Sequence, residues 1–283
     1  MRYHGNGRSR TLQGYPVEPM NKSLRYILLA VQATLALIFI GFMLHGVIVL
    51  AGPVGPSTLP NGEGPVVVVL KYFLPATLHI IVSMVAAVLL CLFYRANTGA
   101  EAQLLPTLFL VITLSNIKVM PLYTSITHIM LLSPYSLSLI YHFATLFTAY
   151  LLVGSGLFQQ GISSSKLTQY IVLGAVLSIF LTVLTPVSLS TVQFLTEISF
   201  TDGMFANIIY ILELLAIANF TIVAIREKNR HNTGRCIAFI LLIIGNSLLS
   251  NFQQIAMNAL GLVFYTAGVV MLILVTRTYH IWA

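Results

Sequence analysis

The sequence predicts an all-α fold, a polytopic transmembrane helical bundle of eight spans, and two observations carry that prediction. Charged residues make up 7% of the chain and hydrophobic residues 58%. A soluble domain carries about 25% charged residues, so lipid must be the solvent for most of this surface. The apolar residues also run in continuous stretches rather than alternating with period two. In lipid only helices and closed barrels satisfy their own backbone groups, and continuous runs of ~20 residues are helices.

Taken in order, residues 1–23 are polar, with Arg2, Arg8, Arg10 and Lys22, and are expected as a cytoplasmic segment in which Met20 is a second candidate start. Residues 24–283 are expected to form a single transmembrane domain. The apolar run at 25–51 exceeds the hydrophobic stretch of a signal peptide and reads as the first span. A loop rich in Gly-Pro dipeptides (52–65) ends it. Further spans are expected near 66–94, 103–122, 128–157, 167–188 and 203–225. The segment 235–279 would be roughly 65 Å long as one helix, about twice the hydrocarbon thickness. It is expected instead as a hairpin, 235–250 and 257–277, turning at Ser250 to Gln254. Seven spans with an interfacial segment is the alternative.

Charge supports the even count. Eight spans with the N-terminus inside place the N-terminal arginines, Arg95, Lys166, Arg226, Lys228, Arg230, Arg235 and Arg277 on one side. Lys71 and Lys118 fall in the opposite half, with Glu63, Glu197 and Asp202. This is the positive-inside asymmetry, with both termini cytoplasmic and Tyr279 and Trp282 as interfacial anchors. The same positions explain the net charge of +7 without nucleic acid as a partner. Cys91 and Cys236 are expected as free thiols near the inner side.

Against the apolar background a few polar residues stand out. Glu213 is the carboxylate deepest in a span, and an intramembrane ionisable group is by default a functional candidate. Asn207 and Tyr210 precede it at spacings of three and are expected on one stripe with it. Lys118 is its expected partner. Asn246 heads a polar group with Ser247, Ser250, Asn251, Gln253 and Gln254, read first as the turn of the last hairpin and second as a cavity lining.

Four histidines form a further pattern. His45 and His128 are expected in an outer layer, His79 and His142 in a middle one. His142 follows His128 by roughly 21 Å if one unbroken helix carries both, a spacing suited to two stacked haems with imidazole axial ligands. Pro134 lies between them and opposes this by kinking the helix. Such histidines ordinarily bond a neighbouring helix.

Lys71 and Pro75, Pro106, Pro121, Pro134 and Pro186 interrupt the spans, as broken helices do in transporters. No P-loop, H-E-x-x-H, G-x-S-x-G or Cys-x-x-Cys motif is present, so no enzyme class is indicated. The expected function is therefore that of a membrane-embedded sensing or binding protein, or a subunit of a larger complex in the cell membrane, with the bilayer and a protein partner around it. A small secondary transporter is the alternative. A haem b electron-transfer subunit is the second alternative, and no other cofactor is expected.

Overall fold

The computed structural model describes residues 22–52, 62–93, 101–159, 166–185, 203–227, 229–251 and 254–282. Every regular element among them is helical. Eight helices are long and apolar enough to cross a membrane. They are α1 (Lys22–Ala51), α2 (65–93), α3 (101–127), α4 (Pro134–Gln159), α5 (Leu167–Leu184), α6 (Gly203–Glu227), α7 (Arg230–Asn251) and α8 (Ile255–Trp282). The segment at 235–279 is a hairpin, as its length requires. The N-terminal segment 1–21, Asn61, Arg95, Pro186, Glu197, Asp202, Lys228 and Gln253 lie outside the described residues. So do the side chains of Asn251, Arg277, Tyr279 and Trp282.

The packing makes a closed ring. α2 packs on α3, α3 on α4, α4 on α6, α6 on α7, α7 on α8, and α8 back on α2. α1 lies outside against α2 and α3, and α5 outside against α4. Passing alternately, the helices place Ala51, Thr127, Leu184 and Asn251 on one side of the bundle, called here the far side. The ends at Gln159, Glu227 and Trp282 occupy the near side.

Local chemistry explains where the helix ends differ from the sequence expectation. The sequence predicts a fourth span from 128 with Pro134 as an internal kink. Instead Pro134 opens α4, where its missing N–H leaves no helical bond unmade. Ser133 caps that end, its Oγ accepting the Ser136 N–H at 3.1 Å. His128 is the left-handed C-cap of α3, with φ of 58°, so it belongs to the preceding helix.

α3 also runs five residues beyond the expected 122. Pro121 cannot donate to the Ile117 carbonyl. A 3₁₀ turn over Asn116–Val119 brings the Met120 N–H onto that oxygen, and the helix resumes. Lys118 consequently lies nine residues from the end of α3 at Thr127, roughly 14 Å along the axis, rather than close to the surface.

Small residues set the closest contacts. In the α7–α8 hairpin a methyl group added at Gly245 would collide with the Tyr265 backbone, and one at Gly268 would meet the Leu242 nitrogen at 2.7 Å. Such seams let backbones approach where lipid removes any hydrophobic drive between helices.

Three apolar clusters result, the smallest joining α4 and α6 through Leu146, Ala149, Phe205 and Ile209. The largest fills the near half of the ring, with Leu108, Phe109, Ile112, Leu152, Phe220, Phe239 and Leu242. The remaining one packs the far half of α1 to α4 around Phe39, Phe73, Ile80 and Leu122. Buried polar side chains occur in both halves: Gln32, Ser155, Asn219 and Thr276 towards the near side, His79, Asn116, Glu213 and Asn246 towards the middle and far side.

Candidate functional site

The site is built around the end of α7. α7 is one of the eight helices long and apolar enough to cross a membrane, and its near end carries Arg230 and Arg235. The last carbonyls of any helix have no partner within it, and in lipid they must find one in the protein. The ammonium of Lys118 donates to the Leu249 carbonyl. A cation is also favoured at this position by the helix dipole. α3 and α7 are not sequential neighbours in the ring, so this bond ties its two sides together.

Glu213 holds the same turn from another side. It is 9% exposed and is hydrogen-bonded to the Ser247 hydroxyl. Ser247 and Leu249 are two residues apart, ~200° around a helix of 3.6 residues per turn. Tyr141 of α4 brings its hydroxyl towards Ser250 and lies within electrostatic reach of Tyr210. Side chains from α3, α4 and α6 thus converge on the final turn of α7. The expected Lys118–Glu213 pair is replaced by two separate attachments to α7. Among the described residues the ion pair found is Lys71–Glu63, at 2.5 Å.

A second set of polar groups lies beside Lys118. His79, 3% exposed, places Nδ1 3.3 Å from both terminal atoms of the Asn116 amide. Its ring stands edge-on to Tyr265 at 4.3 Å between centroids. The Tyr265 hydroxyl pairs with Ser83 Oγ at 2.7 Å. Gln32 of α1 reaches in to the Ser83 carbonyl and the Thr113 hydroxyl, each at 3.3 Å. Individual interhelical bonds of this kind average about 0.6 kcal/mol, so their main effect is on register. The His79 Nε2 and Asn246 Oδ1 atoms are buried without a hydrogen-bond partner.

Closer to the far side, α2 carries a π-helical turn over Val69–Phe73. Pro75 has no N–H to offer the Lys71 carbonyl four residues earlier. Asn258 of α8 donates its Nδ2 to that carbonyl at 2.9 Å. Two irregular backbone features therefore occur in one half of the ring: this π turn and the 3₁₀ turn of α3.

No protein-family model matches the sequence, and no curated protein or solved structure matches it either. The site's own geometry is what bears on function.

Of the residues singled out from sequence, Glu213, Lys118 and Asn246 are brought to one end of α7, with Tyr210 beside Tyr141. Asn207 is exposed. A three-residue spacing falls short of a full turn by ~60°, so Asn207 and Glu213 diverge by ~120°. Asn246, Ser247 and Ser250 lie on the helix itself and not in a turn.

The four histidines have separate surroundings. His45 Nδ1 pairs with the Tyr123 hydroxyl at 2.9 Å. His142 Nδ1 is 2.7 Å from the Ser138 carbonyl, with its ring against Phe205. His128 is exposed at the end of α3, so the spacing argument for stacked haems, which needs His128 and His142 on one helix, does not apply. Among the described residues no three His, Cys, Asp or Glu side chains converge.

Sequence reading missed Gln32, Ser83, Asn116, Tyr141, Asn258 and Tyr265. For two of these regions a signal existed. Each intramembrane proline orphans the carbonyl four residues before it, which marks Lys71 and Ile117, and hence the turns where Asn258 and Asn116 act.

Proposed function

We propose that this chain is a membrane-embedded binding or sensing protein whose binding centre is the polar group around the far end of α7. The observation that carries the reading is the convergence of Lys118, Glu213 and Tyr141, from three helices, on one helix end. Intramembrane charges are expensive and ordinarily functional. The end of α7 lies towards the far side, as suits reception of a ligand from that face. The near side carries Lys166, Arg226, Arg230 and Arg235, and we place it in the cytoplasm. A protein partner in the cell membrane would pass the signal on. Native mass spectrometry of the gently solubilised protein tests this reading. A bound small molecule, lost in Lys118→Met, is expected. A mass equal to that of the chain alone contradicts it.

The transporter reading has an observation of its own. Irregular turns in α2 and α3 share one half of the ring, as discontinuous helices do around transported substrates. Flux into proteoliposomes down an imposed proton or sodium gradient tests it.

A further inference from the structure

We propose that the far-side segment of α2, residues 65–73, is a gate between α2 and α8, hinged at Pro75 and held shut by Asn258. This rests on the reading of the α7 end as a binding centre and adds how a ligand reaches it.

The hinge follows from the backbone. Over Val69–Phe73 the helix is π-helical, and the Leu74 N–H returns five residues, to the Val69 carbonyl, instead of four. Pro75 has no N–H for the Lys71 carbonyl. The Phe73 carbonyl takes a side-chain bond, from the Thr77 hydroxyl at 2.8 Å. Prolines and π turns are where helices kink, and a hinge is a short stretch that absorbs such a change. Beyond the turn the helix is loosely held: of residues 65–70 only Val68 is buried. Segments with few buried contacts open at the lowest cost.

The attachments of α2 to α8 differ on the two sides of Pro75. Towards the near side, Ser83 Oγ pairs with the Tyr265 hydroxyl at 2.7 Å, and the His79 ring stands against Tyr265 at 4.3 Å between centroids. Towards the far side, the tie is the Asn258 amide, which donates to the Lys71 carbonyl at 2.9 Å. Lys71 also braces the tip of the segment. Its ammonium meets the Glu63 carboxylate at 2.5 Å and lies 5.2 Å from the centre of the Tyr72 ring.

The gate borders the centre. A methyl group on Gly261 would meet Leu248 Cβ at 2.9 Å and Leu249 Cγ at 3.1 Å. That level of α8 therefore touches the last turn of α7, where the Leu249 carbonyl holds Lys118. Asn258 precedes Gly261 by less than one turn, ~4.5 Å along the axis towards the far side. Release of Asn258 opens the α2–α8 seam just beyond the α7 end.

Spin labels at the exposed positions Val66 and Ile211, introduced as Val66→Cys and Ile211→Cys after replacing Cys91 and Cys236, report the gap across the ring by double electron–electron resonance. A swing of ~20° at Pro75 carries Val66, ~14 Å from the pivot, by ~5 Å. Asn258→Leu should add a population longer by that amount, and Pro75→Ala in the same background should remove it. Val85→Cys paired with Ile211→Cys, on the near side of the hinge, should keep one distance throughout. In parallel, a membrane-impermeant thiol reagent applied from the far side should modify Ser247→Cys about tenfold faster in Asn258→Leu. In Glu63→Gln the rate should rise about twofold to fivefold, as for loss of a partly exposed ion pair. Glu63→Gln serves alone if Asn258→Leu does not fold. The proposal is overturned if the Val66 distance is the same in every variant, if the Val85 distance moves equally, or if the Ser247→Cys rate is unchanged. A moving gate in a protein whose native mass shows no bound molecule would leave the hinge standing and contradict the binding centre. A bound molecule with a fixed Val66 distance would do the reverse.

Discussion

Lys118 of α3 reaches across the ring to the carbonyl of Leu249, in the last turn of α7. Glu213 engages Ser247 on the same turn, and the two intramembrane charges meet α7 rather than each other. In Lys118→Met the Leu249 carbonyl loses its donor, which costs about 1–3 kcal/mol. Glu213→Gln keeps a bond to Ser247 and should cost less. If the two charges act separately, the double variant is no more stable than Lys118→Met alone. Recovery of stability in the double variant, measured by thermal melts of the four proteins, would show instead that the charges pair directly.

Asn258 answers the backbone defect that Pro75 creates. Asn258→Leu leaves the Lys71 carbonyl unpaired and should destabilise the protein by about 1–3 kcal/mol. Pro75→Ala restores an N–H four residues beyond Lys71. In that background Asn258→Leu should cost less than half as much. Equal costs in both backgrounds, in the same melts, would detach Asn258 from the proline.

The α7–α8 seam is sensitive to single methyl groups. Gly245→Ala places a carbon against the Tyr265 backbone, and the whole hairpin must open to admit it. A loss of about 1–3 kcal/mol is expected, as for overpacking generally. Gly41 of α1 has nothing within 4 Å of an added methyl. Gly41→Ala should be neutral or slightly stabilising, because alanine favours helix by about 1 kcal/mol over glycine. Similar melting temperatures for the two variants would contradict the contact.

These relationships show how far the sequence could be read. Span number, order and the final hairpin were legible, because each depends on the length of an apolar run against a fixed bilayer thickness. Glu213 was legible as a buried polar group for a related reason: a carboxylate among leucines is costly to hold in lipid and must bond within the protein. Its partner was not. Lys118 pairs with a backbone carbonyl, and every residue has one, so side-chain chemistry alone gave no signal for Leu249. The place of His128 was hidden because a proline within an apolar run can kink a helix or start one, and Ser133 makes Pro134 the start of α4.

Orientation can be checked without reference to the site. Fusion reporters at residues 1 and 283 should both read cytoplasm, and a reporter inserted at Asn61 the opposite side. A C-terminal reporter on the outer side would contradict the even number of crossings.

Access to the end of α7 tests the central claim most directly. Ser247→Cys is introduced after replacing Cys91 and Cys236, and the protein is exposed in sealed vesicles of each orientation to a membrane-impermeant thiol reagent. A one-sided binding centre predicts modification from the far side only, slowed when the ligand is bound. Modification from both sides would favour transport. Failure of the reagent to reach Ser247→Cys from either side, in protein that melts like the parent, would contradict the account and leave the α7 end as a structural lock.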